Sequence, residues 1–190
     1  RTPFFGNDDD IADDLAVRIY DDLVAAIDGK PNIRGGVYHL NMLSTTCHIY
    51  FGKVLGATAN GRQAGRPVSD GTSPSHGADT HGPAAVIRSL GRLDQEKSGG
   101  TLLNLRFLPS LLRREKDRRK LGQLIRSYFA MGGNHVQFNI VDTATLLAAQ
   151  EHPEDYRDLM VRMAGYSDYF NDMNADLQRE IIERTEHEQL

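Results

Sequence analysis

"VRMAGYSDYF", residues 161–170, sets a glycine in the middle of an apolar and aromatic run close to the end of the chain. Gly165 follows Val161, Met163 and Ala164 and precedes Tyr166, Tyr169 and Phe170. Glycine forfeits packing and costs backbone entropy, so something at this position must require it. One requirement is a turn with positive φ or a close backbone approach. That is the reading the residues alone favour, and the chemistry offers a sharper one. A radical at a glycine Cα lies between a donating amide nitrogen and a withdrawing carbonyl, and no side chain twists that plane or blocks hydrogen abstraction. On this second reading Val161, Met163, Tyr166 and Phe170 would exclude water and oxygen from the site.

Outward from Gly165, "MVRMA" reads as a short extended piece, and "NADLQREIIERTEHE" closes the chain as a helix. Asn174 is its candidate cap, and Leu177, Ile181 and Ile182 form its apolar stripe. Upstream, "HVQFNIV" alternates like a strand, and "TATLLAAQEHPEDYRDL" holds a helix broken before Pro153. "RREKDRRK" mixes charge signs and runs into "LGQLIRSYF", which predicts the solvated start of a helix reaching about Met131 rather than a nucleic-acid patch.

Residues 56–82 form a long segment rich in glycine and proline, with no dinucleotide fingerprint and no phosphate-loop lysine. A loop of this length is functional or clasps another element. His76, Asp79 and His81 are its metal-like cluster, but a closed site needs three or four convergent ligands, so a solvated loop is expected and no metal is assigned. "VYHLNMLSTTCHIYFG" predicts a strand over 43–51, with Leu43, Thr45, Cys47 and Ile49 on one face. At the amino-terminal end, Asn7 and Asp8 are candidate caps of a helix ending near Gly29. Its stripe is Ile11, Leu15, Ile19 and Leu23. The aspartates at 8, 9, 10, 13 and 14 lack the glycine and closing glutamate of a calcium loop.

The 190 residues suit one domain, or one domain with an appendage, and a 39% hydrophobic content is ordinary for a globular core. A net charge of -4 argues against nucleic acid as partner. A single cysteine, Cys47, excludes an internal disulfide and fits a reducing compartment, with the cytosol as default. No apolar run is long enough for a membrane span or signal peptide. Arg1 in place of methionine leads us to expect a processed product or a piece of a longer protein.

"RMAGYSDYF" resembles the glycyl radical signature, and "GGNHVQFNIVDTATLLAAQEHPEDYRDLMVRMAGYSDYF" is similar to the radical domain of the pyruvate formate-lyase superfamily. "GATANGRQAGRPVSDGTSPSHGADTHGPAAVIRS" resembles the segment leading into that domain, and "FGNDDDIADDLA" one further upstream. The resemblance covers essentially the whole chain. It implies an α/β fold: the carboxy-terminal end of a ten-stranded β/α barrel over residues 1–58, then a glycine radical domain over 59–190 with its loop projecting into the barrel. It further implies an oxygen-sensitive homodimeric enzyme with no bound cofactor. A separate activating enzyme, using S-adenosylmethionine and an iron–sulfur cluster, would remove a hydrogen from Gly165. The glycyl radical would then generate a thiyl radical on a cysteine that attacks a small-molecule substrate.

The sequence departs from the family at that cysteine. Cys47 stands far closer to Gly165 than the family's thiyl cysteine does, and it lacks the glycine-cysteine-x-glutamate setting. The thiyl residue is therefore expected outside this chain, which alone should be inactive. "TTCHIYFG" and "PVSDGTSPSHGADTHGP" are closer in wording to the dehydratase-like branch, pointing to a small hydroxylated substrate of hydroxyproline or glycerol type. Leu43, Thr45 and Cys47 are the candidate substrate-binding residues. The alternatives are a formate acetyltransferase or arylacetate decarboxylase of the same superfamily, an autonomous spare-part radical domain, and a catalytically silent interaction module.

Overall fold

A computed structural model describes residues 2–190. Its elements in chain order are α1 (Asp10–Ile27), α2 (Cys47–Val54), α3 (Pro83–Leu90), β1 (Leu103–Phe107), α4 (Glu115–Ala130), β2 (Val136–Ile140), α5 (Thr143–Glu151), β3 (Met160–Arg162), β4 (Ser167–Tyr169), α6 (Ala175–Glu183) and β5 (Glu186–His187). Strand β1 is central. It pairs in parallel with β2, Leu103 opposite Val136 through Phe107 opposite Ile140, and in parallel with β5 on its other side. Parallel pairing requires crossover connections, supplied between β1 and β2 by α4. The chain is thus α/β.

The two faces of this sheet differ. Leu103, Leu105 and Phe107 turn one face toward Val86, Ile87 and Leu90 of α3 and Tyr128 of α4, with Val136 and Phe138 of β2 packed alongside. A buried glutamine ties this layer together: Gln95 Oε1 accepts from Thr101, from the Tyr128 hydroxyl at 3.2 Å and from the Asn134 N–H at 3.1 Å. On the alternate positions stand Asn104, Arg106, Gln137 and Asn139, all buried and all polar. A second core of Val141, Leu146, Ala149, Val161, Met163, Phe170, Met173 and Ile181 joins α5, the β3–β4 hairpin and α6. Asn174 caps α6 as its sequence predicts, accepting from Asp176 and Leu177 N–H.

Two expectations are overturned. Residues 43–51 are not a strand. Leu43 and Ser44 lead into a turn in which Thr45 takes φ +55°, and Cys47 opens α2. The alternation of β-branched residues coincides with a helical one, because His48, Ile49 and Gly52 form the buried face of α2. Gly52 is required there: a Cβ would collide with the Arg66 carbonyl. The second correction concerns α1, whose N-cap is Asp9 rather than Asn7 or Asp8. Its apolar stripe lies open, from 44% exposure at Leu23 to 73% at Ile11. The acidic side is what docks, through Asp8 just ahead of the helix to Arg88, and through Asp14 to Arg92 at 3.2 Å and Asp21 to Lys97 at 2.9 Å. Buried Asp13 accepts from Ser89 at 2.8 Å. Burial raises the Asp13 pKa, against the lowering effects of Ser89 and Arg92.

Candidate functional site

Strands β3 and β4 pair antiparallel, Met160 opposite Tyr169 and Arg162 opposite Ser167, and Gly165 stands in the connection between them. Its φ is +83°, a conformation that side chains resist, and an added Cβ would meet nothing within 4 Å. The glycine is therefore demanded locally by the turn and not by a crowding neighbour. The connection closes through Met163 N–H, which donates to the Tyr166 carbonyl at 2.9 Å.

Side chains from the sheet's polar face hold the rest of this turn. Gly165 N–H donates to Gln137 Oε1 at 3.0 Å. The Met163 carbonyl accepts from Gln137 Nε2 and from Asn104 Nδ2, the latter at 3.1 Å. One residue pair back, Asn139 brackets Arg162, donating to its carbonyl at 2.8 Å and accepting from its N–H at 2.7 Å. The sheet register places Asn104 opposite Gln137 and Arg106 opposite Asn139, so the three holding amides and Arg106, which donates to the Ile182 and Arg184 carbonyls, form a two-by-two polar patch.

Charge anchors that patch. Asn104 Nδ2 also donates to Asp70, which lies 3.6 Å from Arg184. Arg184 grips Glu180 with two hydrogen bonds of 2.9 Å. Glu180 has no solvent exposure, and the Nε2 atoms of His48 and His76 approach it to 3.5 and 3.3 Å. Burial works to raise the Glu180 pKa, but Arg184 and the two imidazoles outweigh it and hold the carboxyl well below its usual range. Burial likewise works to lower Arg184, and Glu180 and Asp70 raise it above its ordinary value.

The remaining candidates are scattered. His76, Asp79 and His81 do not converge: His76 faces Glu180, Asp79 binds Thr185 and His187, and His81 binds Asn7. Among the described residues no group of His, Cys, Asp or Glu is arranged to hold a metal. The expected solvated loop is instead a clasp, with Asp70, Thr72, Ser73 and Asp79 buried. Leu43, Thr45 and Cys47 are exposed. Among the described residues the expected shield is not formed: Val161, Met163 and Phe170 are buried beneath the hairpin, while Gly165 and Tyr166 are exposed. Among the described residues no helix is long and apolar enough to cross a membrane.

An exposed glycine on a hairpin is thus held by buried amides on the polar face of a parallel sheet. The family described as glycine radical matches residues 68–171, more than half the chain, and the one described as pyruvate formate lyase-like matches residues 1–52. The chain belongs to the glycine radical family. It is 52% identical over 186 residues to trans-4-hydroxy-L-proline dehydratase of Clostridioides difficile, covering 98% of this chain and 24% of that protein. It is 44% identical to indoleacetate decarboxylase of Tractidigestivibacter scatoligenes, covering 99% of this chain and 22% of that one. The crystal structure of the C. difficile hydroxyproline dehydratase with its substrate bound superposes with a TM-score of 0.94 at 51% identity, over 98% of this chain and 24% of that one. The glycerol-bound glycerol dehydratase of Clostridium butyricum gives the same TM-score at 44% identity, over 100% of this chain and 24% of that one. The chain thus spans about a quarter of the length of these relatives.

Proposed function

We propose that Gly165 stores the radical and that this chain is the radical-bearing part of a glycyl radical dehydratase or lyase. The observation that carries the reading is the setting of Gly165: an exposed hairpin glycine, open around its Cα, whose N–H is pinned by a buried amide. Loss of one Cα hydrogen leaves an unpaired electron shared with the amide nitrogen and the carbonyl, and the absent side chain lets that system flatten. The activating enzyme, working with S-adenosylmethionine and an iron–sulfur cluster, is the partner that takes the hydrogen, and an exposed loop suits its approach. The thiyl cysteine belongs to the rest of a barrel outside this chain, which would also supply the shield that Gly165 lacks. Residues 1–58 would complete that barrel and 59–190 the radical domain, in a cytoplasmic homodimer.

For the substrate we favour a small hydroxylated compound of hydroxyproline type, supported by 52% identity to the hydroxyproline dehydratase against 44% to the decarboxylase. The decarboxylase match is what keeps an arylacetate substrate as the second reading. Leu43, Thr45 and Cys47, free on this chain's surface, are proposed to face the substrate cavity.

Oxygen provides the test. It adds to a carbon-centred backbone radical, and the peroxyl species breaks the chain at that residue. Anaerobically activated chain exposed to air should be cut at Gly165, separating residues 166–190, while unactivated chain stays whole. Ile181 of α6 is fully buried and would hold the severed tail in place, so masses must be read under denaturing conditions. Intact chain after radical-positive material meets air, or a break elsewhere, overturns the assignment.

A further inference from the structure

We propose that Gln137 is a positioning residue for the glycyl radical, acting through the amide N–H of Gly165; this rests on the reading of Gly165 as the radical carrier. Gln137 is the buried second residue of β2, and its one carboxamide serves two backbone groups of the radical turn. Its Oε1 takes Gly165 N–H at 3.0 Å, and its Nε2 serves the Met163 carbonyl. That carbonyl is the group that would ordinarily close a four-residue turn on the N–H of residue 166. The sheet dictates the shape of this turn in place of that bond.

The orientation of the carboxamide is set by its neighbours. The Asp70 carboxylate oxygen accepts from the Asn104 NH₂ and so fixes it toward itself, leaving Asn104 Oδ1 to accept from Gln137 Nε2. Gln137 Oε1 is then the oxygen left to face Gly165. Arg184, 3.6 Å from Asp70, ties this direction to a buried charge. Reversing Gln137 would set its NH₂ against the Gly165 N–H and its oxygen against two others.

The consequence for the radical is specific. The Gly165 nitrogen shares the unpaired electron, and an acceptor on its N–H increases the electron density it donates to Cα. At φ +83° the glycine must rotate to flatten when Cα loses a hydrogen. With the N–H anchored, the preceding peptide plane stays fixed and the rotation falls on the carbonyl side. Buried Gln137 thereby sets both the electronic donation and the plane into which the radical relaxes.

The test compares the assembled enzyme with its Gln137→Met and Gln137→Glu variants. Methionine keeps the length and removes both bonds. Glutamate, protonated in this buried position, restores one acceptor and one donor. In the activated protein, the small proton coupling lost on transfer to deuterium oxide belongs to the Gly165 N–H. It should change in Gln137→Met and return toward wild type in Gln137→Glu, while the main Cα splitting persists in all three. Before activation, the Gly165 amide of the wild type should exchange about tenfold or more slower than its unstructured rate despite the residue's exposure, and Gln137→Met should lose that protection. Failure of Gln137→Met to accept a radical supports the proposal if its Gly165 exchange is fast, and overturns it if protection is intact. If Gln137→Met does not fold, an unprotected Gly165 amide in the wild type overturns the proposal and a protected one, retained in Gln137→Glu, supports it. A wild-type Gly165 radical with amide coupling and exchange unchanged in Gln137→Met overturns the proposal alone. Absence of any Gly165 radical in the activated wild type overturns the underlying reading and this proposal with it.

Discussion

Replacing Arg184 by methionine should be among the most damaging single changes in the chain. Its guanidinium stands between Glu180, bonded twice at 2.9 Å, and Asp70 at 3.6 Å, and both carboxylates are buried. Breaking a buried pair from one side leaves an uncompensated charge and typically costs about 3–5 kcal/mol. Here His48 and His76 still face Glu180 and Asn104 still donates to Asp70, which places the expected loss near the lower end, about 3 kcal/mol. That corresponds to a fall in Tm of about 10 °C for a chain of this size. The pH dependence carries a sign. In the wild type the Glu180 pKa is depressed, so its stabilisation is complete above its ordinary value of 4.5 and is lost as pH falls through the folded value. In the variant the carboxyl has lost its guanidinium partner and burial favours its protonated form, so stability is regained toward acid. Denaturant unfolding followed by circular dichroism should therefore show a gap between the two proteins that narrows as pH falls below about 4.5. A loss under about 1 kcal/mol at neutral pH, or a gap that widens in acid, would refute the role given to this network.

Gly165→Ala should fold, losing only the about 1–2 kcal/mol of a side chain at positive φ, because nothing stands within 4 Å of the new methyl; a much larger drop in unfolding free energy would reveal contacts absent from this structure. Gly133→Ala should cost more, about 2–3 kcal/mol, since its Cβ would strike the Tyr128 ring, and thermal melts should rank the two variants in that order. Gln95→Leu strips an acceptor from Thr101, Tyr128 and Asn134 together and should lower stability by about 2–4 kcal/mol, measurable by urea unfolding. In the assembled enzyme Thr45→Val and Cys47→Ala should alter turnover or substrate preference, and unchanged kinetics would remove them from the substrate cavity.

Local pattern revealed much of the architecture around Gly165. The alternation at 136–140, the cap at Asn174 and the break before Pro153 are short-range signals, and the corresponding strand and helices formed. Strand β1 was harder to see, although Leu103, Leu105 and Phe107 alternate with Asn104 and Arg106 as on a strand with two unlike faces. The holding residues could not be found this way. Asn104, Gln137, Asn139 and Arg184 read as ordinary polar positions, and only the register of β1 on β2 sets them under one hairpin. The stripe of α1 shows the opposite failure: periodicity identified the helix, but the docking face was decided by the charges of Arg88, Arg92 and Lys97 on a distant segment. At 43–51, period-two and helical patterns coincided over a few residues, and packing of Gly52 on the Arg66 backbone favoured the helix.

The most direct measurement is electron paramagnetic resonance of the protein activated without oxygen, prepared with ordinary glycine, with glycine deuterated at Cα, and as Gly165→Ala. The account predicts a doublet from the single remaining Cα hydrogen, its collapse on deuteration, and no signal from Gly165→Ala that still folds. A doublet that survives deuteration, or a signal that persists in Gly165→Ala, would contradict it.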